Sequence, residues 1–156
     1  MYGEQRAAGD QDEADLAAAA TPLIARIAGG ASLLAGVITA LTSVQTLTWV
    51  RIRGAMAAAP YVMIVVGLAA CIVGLQVMRS RAWAAVAATG LAGLMLLLTG
   101  GWLVYSISRG LLSLFALADP FLWVLALGLS IVSIDRCARV TAARKRLAER
   151  GLDAGI

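Results

Sequence analysis

The sequence predicts an all-α membrane protein: a four-transmembrane-helix antiparallel bundle with its N and C termini in the cytoplasm. Three observations lead there. The chain is 61% hydrophobic and 14% charged, with a mean hydropathy of +0.86, beyond the range of soluble globular domains. Its charges leave long gaps: 24 uncharged residues separate Arg26 from Arg51, 25 separate Arg53 from Arg79, and 27 separate Arg81 from Arg109. About 20 mostly apolar residues cross a hydrocarbon core about 30 Å thick, so each gap holds a span. The third observation is the distribution of Lys and Arg. With an even number of spans, ten basic residues fall on the side of the termini and three on the other, which orients both termini inward.

The spans are expected at about 24–49, 57–78, 83–107 and 119–138. The fourth needs its own argument, because Asp119 interrupts the apolar run. In Asp119-Pro120 the acid suits a helix N-cap and the proline suits the first helical position, so the helix is expected to start there. Residues 120–134 alone are too few to span. The helix therefore runs on past Asp135, with Arg136 and Arg139 reaching back to the head groups. Leu111 to Ala118 then reads as an apolar segment at the interface.

The flanks differ in charge. Residues 1–22 carry five acids against one Arg, which is unlike the basic start of a secretory signal and reads as an acidic disordered or weakly helical tail. Residues 139–156 read as a basic cytoplasmic helix continuing span four. Asp135 and Arg139, and Lys145 and Glu149, stand at i,i+4 spacing. Arg136, Arg139, Arg144, Lys145, Arg146 and Arg150 are the candidate contacts for lipid head groups or for an acidic protein partner. Each basic residue near an anionic surface contributes about 1 kcal/mol. No aromatic or base-reading motif accompanies this charge, so nucleic acid is not an expected partner. The expected partners are the bilayer and either a membrane protein or a second copy. Twelve Arg against one Lys, with abundant Ala and Gly, matches the codon bias of a GC-rich bacterial genome, which suggests a bacterial cytoplasmic membrane.

Packing between spans should come from small residues, since lipid supplies no hydrophobic drive between helices. Every predicted span has such a row: Ser32, Gly36 and Ala40; Gly67 and Cys71, with Ala70 and Gly74 alongside; Ala85, Thr89 and Gly93, then Gly100-Gly101; Ala126 and Ser130. Trp49, Tyr61, Trp102, Tyr105, Phe121 and Trp123 fall near predicted outer ends and Trp83 near an inner one, as interfacial anchors do.

Little chemistry is written in the sequence. There is no His, which argues against bis-His haem and His-based relays, and the two cysteines, Cys71 and Cys137, form no redox spacing. No phosphate-binding loop or nucleophile elbow occurs, so no catalytic residue, cofactor or metal is expected. One polar feature remains. Thr39, Thr42, Ser43 and Thr46 share about 100° of helix surface in the first span. With Asp119 they would line a polar path, or their hydroxyls would turn back onto helix carbonyls. The expected function is a structural or accessory subunit of a membrane complex; the alternative is an oligomeric transport module for a small solute or ion.

Overall fold

The computed structural model describes residues 13–49, 57–108 and 114–151. Four long helices dominate: α1 (Leu23–Trp49), α2 (Ala59–Met78), α3 (Ala82–Ser108) and α4 (Leu114–Glu149). Each is long and apolar enough to cross a membrane, and no strand occurs among the described residues. The first three begin and end within two residues of their predicted bounds.

Side chains are sorted inside-out relative to a soluble bundle. The interior is small: Ala35, Ala70, Ala92 and Ala126 pack with Met95 and Trp123. The large aliphatic side chains face outward, Leu97 at 77% exposure and Val104 at 68% among them. Such a surface is tolerable against lipid tails and would aggregate in water.

Around the bundle α1 touches α2 and α4, and α3 touches α4 and, over a smaller area, α2. The α1–α2 contact is the tightest, and glycine makes it possible. A Cβ placed on Gly36 would lie 2.5 Å from the carbonyl oxygen of Gly67; one on Gly67 would lie 2.8 Å from that of Gly36. Gly29 and Gly74 repeat the arrangement at 2.5 and 2.8 Å. The two pairs are seven residues apart on both helices, running forward in α1 and backward in α2. That is an antiparallel pair held in one register; the close packing at Gly36, Gly67 and Gly74 follows the rows in the sequence, and Gly29 adds a contact outside them. The rows of α3 are used differently: Ala85 is buried, but Gly90, Gly93, Gly100 and Gly101 meet nothing within 4 Å.

Between α2 and α3 the chain turns within three residues. Ser80 takes a left-handed conformation (φ 56°), and the amide of Arg81 donates to the carbonyl of Gln76, closing the end of α2.

The fourth helix corrects the sequence reading. It begins at Leu114 and runs through Pro120, so Asp119 is not its N-cap, and residues 114–118 are helical; residues 111–113 lie outside the described residues. A proline at this position forfeits one backbone bond, to the residue four back. Starting the helix afresh at Asp119 would leave four amides to be satisfied in lipid, which costs more. The 36 residues of α4 reach about 54 Å, against about 30 Å of hydrocarbon, so a long part of it stands clear of the bilayer.

Part of the acidic leader takes the helical of its two expected forms. Residues 13–19 are helical, and Ala19 is buried with Ala143 and Leu147 of α4.

Glycine at the α1–α2 crossing should therefore be more demanding than glycine elsewhere. Gly36→Ala is expected to destabilise the bundle by about 1–3 kcal/mol through overpacking, and Gly128→Ala, with open space around it, to leave stability unchanged or raise it slightly. Unfolding of both variants in mixed detergent micelles reads the difference.

Candidate functional site

Two groups of polar side chains are brought together by the fold, one at each end of the α1–α4 seam. The first joins Thr39, Asp119 and Trp123. Indole N–H is a donor only, so the 2.9 Å contact fixes direction: Trp123 Nε1 donates to Thr39 Oγ1. The hydroxyl hydrogen of Thr39 is then free to donate to Asp119 Oδ1, at 2.6 Å. That length lies in the range of hydroxyl donors to an ionised carboxylate. Thr39 is fully buried and Trp123 is 1% exposed. Ala40, next to Thr39, meets Gly67, eight residues in from the start of α2. The cluster therefore sits roughly 10 Å inside the bundle from that end. Among the described residues no Lys or Arg forms an ion pair with Asp119; Arg109, suggested by sequence proximity, lies outside them.

The hydroxyls predicted to share a face with Thr39 divide. Thr42 donates back to the carbonyl of Ile38, and also lies 3.1 Å from that of Thr39; Thr46 donates to the carbonyl of Thr42. Ser43 is buried at 4% exposure, one turn from Thr39 toward the nearer end. Of the five residues proposed for a polar path, the fold joins Thr39 and Asp119 by a hydrogen bond, buries Ser43 one turn along α1 from Thr39, and turns Thr42 and Thr46 back onto their own helix.

Trp123 escaped sequence reading. Its place near a span end gave it the look of an interfacial anchor, yet it is in the core; Tyr61 and Phe121, with the same expectation, are exposed at 61% and 69%. The signal was present in the spacing. Trp123 lies one helical turn after Asp119 and three residues before the small residue Ala126, on the face that α4 turns inward.

The seam below this cluster has a seven-residue step. Seven back from Thr39 is Ser32 and seven on from Trp123 is Ser130; one more step gives Ala25 and Cys137, which share a core cluster with Ala85. Ser32 and Ser130 are thus level on facing helices, and both buried hydroxyls are without a hydrogen-bond partner.

The second group is a clasp at the opposite end. Arg144 donates through Nε to the carbonyl of Ala19 (3.3 Å), through Nη2 to Thr21 Oγ1 (3.2 Å), and through Nη1 to the carbonyl of Arg79 (3.0 Å). One guanidinium thus ties α4 to both the leader and the α2–α3 turn. Thr141 Oγ1 adds a bond to the carbonyl of Ser80, at 3.3 Å. Arg146 and Arg150 each approach Asp15 at 3.5 Å. Asp15, expected among solvated acids, is 15% exposed. Arg139 pairs with Asp135 at 2.7 Å and Lys145 with Glu149 at 3.9 Å, as their spacing predicts. Arg136 is exposed. Arg144 is hence a structural tie, not a free basic contact, and Arg146 and Arg150 are shared with the leader.

No protein family matches the chain, and no curated protein or solved structure is similar to it. Among the described residues no cluster of His, Cys, Asp or Glu has the composition of a metal centre.

Magnitudes rank the clasp. Hydrogen bonds to a charged group contribute about 1.5–3 kcal/mol each, exposed ion pairs at most about 1 kcal/mol. Arg144→Ala should therefore speed amide exchange of residues 13–21 roughly ten- to a hundredfold, and Asp15→Asn no more than about fivefold. Hydrogen exchange read by mass spectrometry on the full chain measures both.

Proposed function

We propose that the protein is a structural or accessory subunit of a membrane complex, not an enzyme, and that α3 is the helix through which it joins its partner. The observation that carries this reading is the unused glycine on α3. In lipid, glycine rows exist to let backbones approach, as the α1–α2 crossing does. Gly93 and Gly100 have the same seven-residue spacing as Gly29 and Gly36, yet a Cβ added at either would meet no other helix within 4 Å among the described residues. They lie on a flank of α3, roughly 100–130° around the helix from its buried face of Ala85, Ala88, Ala92, Met95 and Thr99, and both are partly buried. Leucine would suit lipid better there, and helix propensity would favour almost any other residue.

The ten-to-three distribution of basic residues supports an orientation with both termini cytoplasmic, and the arginine-rich composition supports a bacterial cell membrane. One observation favours the second reading, an oligomeric transport module: a carboxylate, Asp119, lies inside a span with no cationic partner among the described residues. The back-bonded hydroxyls of Thr42 and Thr46 weigh against a hydroxyl-lined vestibule in the single chain.

Affinity isolation of the tagged chain from its own membranes in mild detergent tests the first reading. A foreign membrane subunit at fixed stoichiometry is expected, and it should be lost on changing Gly93 and Gly100 to Leu, while the monomer's unfolding is unchanged. Recovery of the chain alone, or retention of the partner by the double variant, would contradict it.

A further inference from the structure

We propose that Asp119, with Thr39 and Ser43 of α1, forms a binding site for a small monovalent cation, a proton or a sodium ion, loaded from the end of the bundle where α2 begins. This goes beyond the docking reading and holds whether or not α3 meets a partner.

The argument starts from charge. Ionisable groups inside a membrane pair with a counter-charge, take up a proton or bind an ion, because an isolated charge there is costly. Asp119 is half-buried, and its first oxygen accepts from Thr39 instead of from a cation. Asp135 and Glu149, the other carboxylates of α4, lie far along the helix with Arg139 and Lys145 at hand. Among the described residues, the titratable groups on the flanking helices do not substitute for a counter-ion; Arg51, Arg53 and Arg109 lie outside them. α1 offers only Arg26, thirteen residues and about 20 Å from Thr39. α3 offers Tyr105, and across the bundle α2 offers Tyr61 and Cys71.

Geometry then makes the site specific. Trp123 Nε1 holds the oxygen of Thr39 in place, so the Thr39 hydroxyl is aimed at Asp119 and does not bond back to its own helix, as Thr42 and Thr46 do. Ser43 adds a second buried hydroxyl one turn nearer the end. Carboxylate and hydroxyl oxygens from two helices are the donor set that suits a proton or a hard monovalent ion. Further in, Ser32 and Ser130 are buried, level with each other on the same seam, and without partners. The polar column thus continues beyond Asp119 toward the bundle centre.

The test uses the full chain in phosphatidylcholine liposomes and dicyclohexylcarbodiimide, which enters apolar regions and reacts with protonated carboxyl groups. Peptide mass mapping should find Asp119 modified in mildly acidic, sodium-free buffer. If the occupant is a proton, modification should fall as pH rises, whatever the salt. If it is sodium, sodium chloride at fixed pH should protect Asp119 and potassium chloride should not. Thr39→Val, which keeps the volume and removes the hydroxyl, should alter whichever dependence is seen. Three results would each overturn the proposal: no modification of Asp119 at any pH, modification indifferent to both pH and sodium, or equal modification by a charged, water-soluble carbodiimide. A dependence unchanged in Thr39→Val would do the same.

Discussion

At Gly36 and Gly67 the backbones of α1 and α2 come so close that a single methyl group would meet a carbonyl oxygen. Everything else in the bundle is arranged around this approach. Lipid tails compete for apolar side chains as well as a neighbouring helix does, so helices in a bilayer associate through contact that lipid cannot imitate. Glycine supplies it by bringing backbone against backbone over two turns, and the alanine interior continues it toward α3 and α4. Once α1 and α2 are set in register, the adjoining face of α1, roughly 50° around from its glycines, presents Ser32, Thr39 and Ser43 in a fixed row.

That row decides where α4 sits. A hydroxyl inside a membrane with no partner is unfavourable, and Thr39 finds two partners on α4, one donor and one acceptor. Trp123 fills the interior with the largest fully buried side chain, and its N–H has a partner, which a buried indole requires. The seven-residue step carries the register down the seam to Ala25 and Cys137, and beyond them Arg144 ties the far end. The polar groups thus set register, and the small residues set distance.

Much of the fold was legible because charge and length dominate it. An arginine is hard to bury and a span must reach across, so the first three helices follow from the gaps between arginines. The small-residue rows of α1 and α2 were legible for the same reason that they work, since four-residue spacing is visible in sequence, but Gly29 and the seven-residue step between the two glycine contacts were not read there. Asp119 was misread because Asp-Pro is a strong local signal for a helix start, and the cost of ending a helix in lipid is not local. Trp123 was misread because position along a span does not reveal which face is inward. The leader was out of reach for another reason: Asp15 and Ala19 find Arg144, Arg146 and Leu147 more than a hundred residues away, and a short Ala-rich segment has too little pattern of its own. For the candidate site, the residue types were identifiable, but the bond that joins Thr39 to Asp119 depends on the register of two helices eighty positions apart.

That register is the central claim, and thiol cross-linking tests it most directly. In a chain with Cys71 and Cys137 replaced by Ser, thiols are introduced in pairs as Ser32→Cys with Ser130→Cys, and as Ser32→Cys with Trp123→Cys. A short bifunctional thiol reagent in membranes should join the first pair and not the second, which stands seven residues and about 10 Å off level. Cross-linking of the second pair in preference to the first would contradict the seam, and with it the hydrogen bonds that place Asp119.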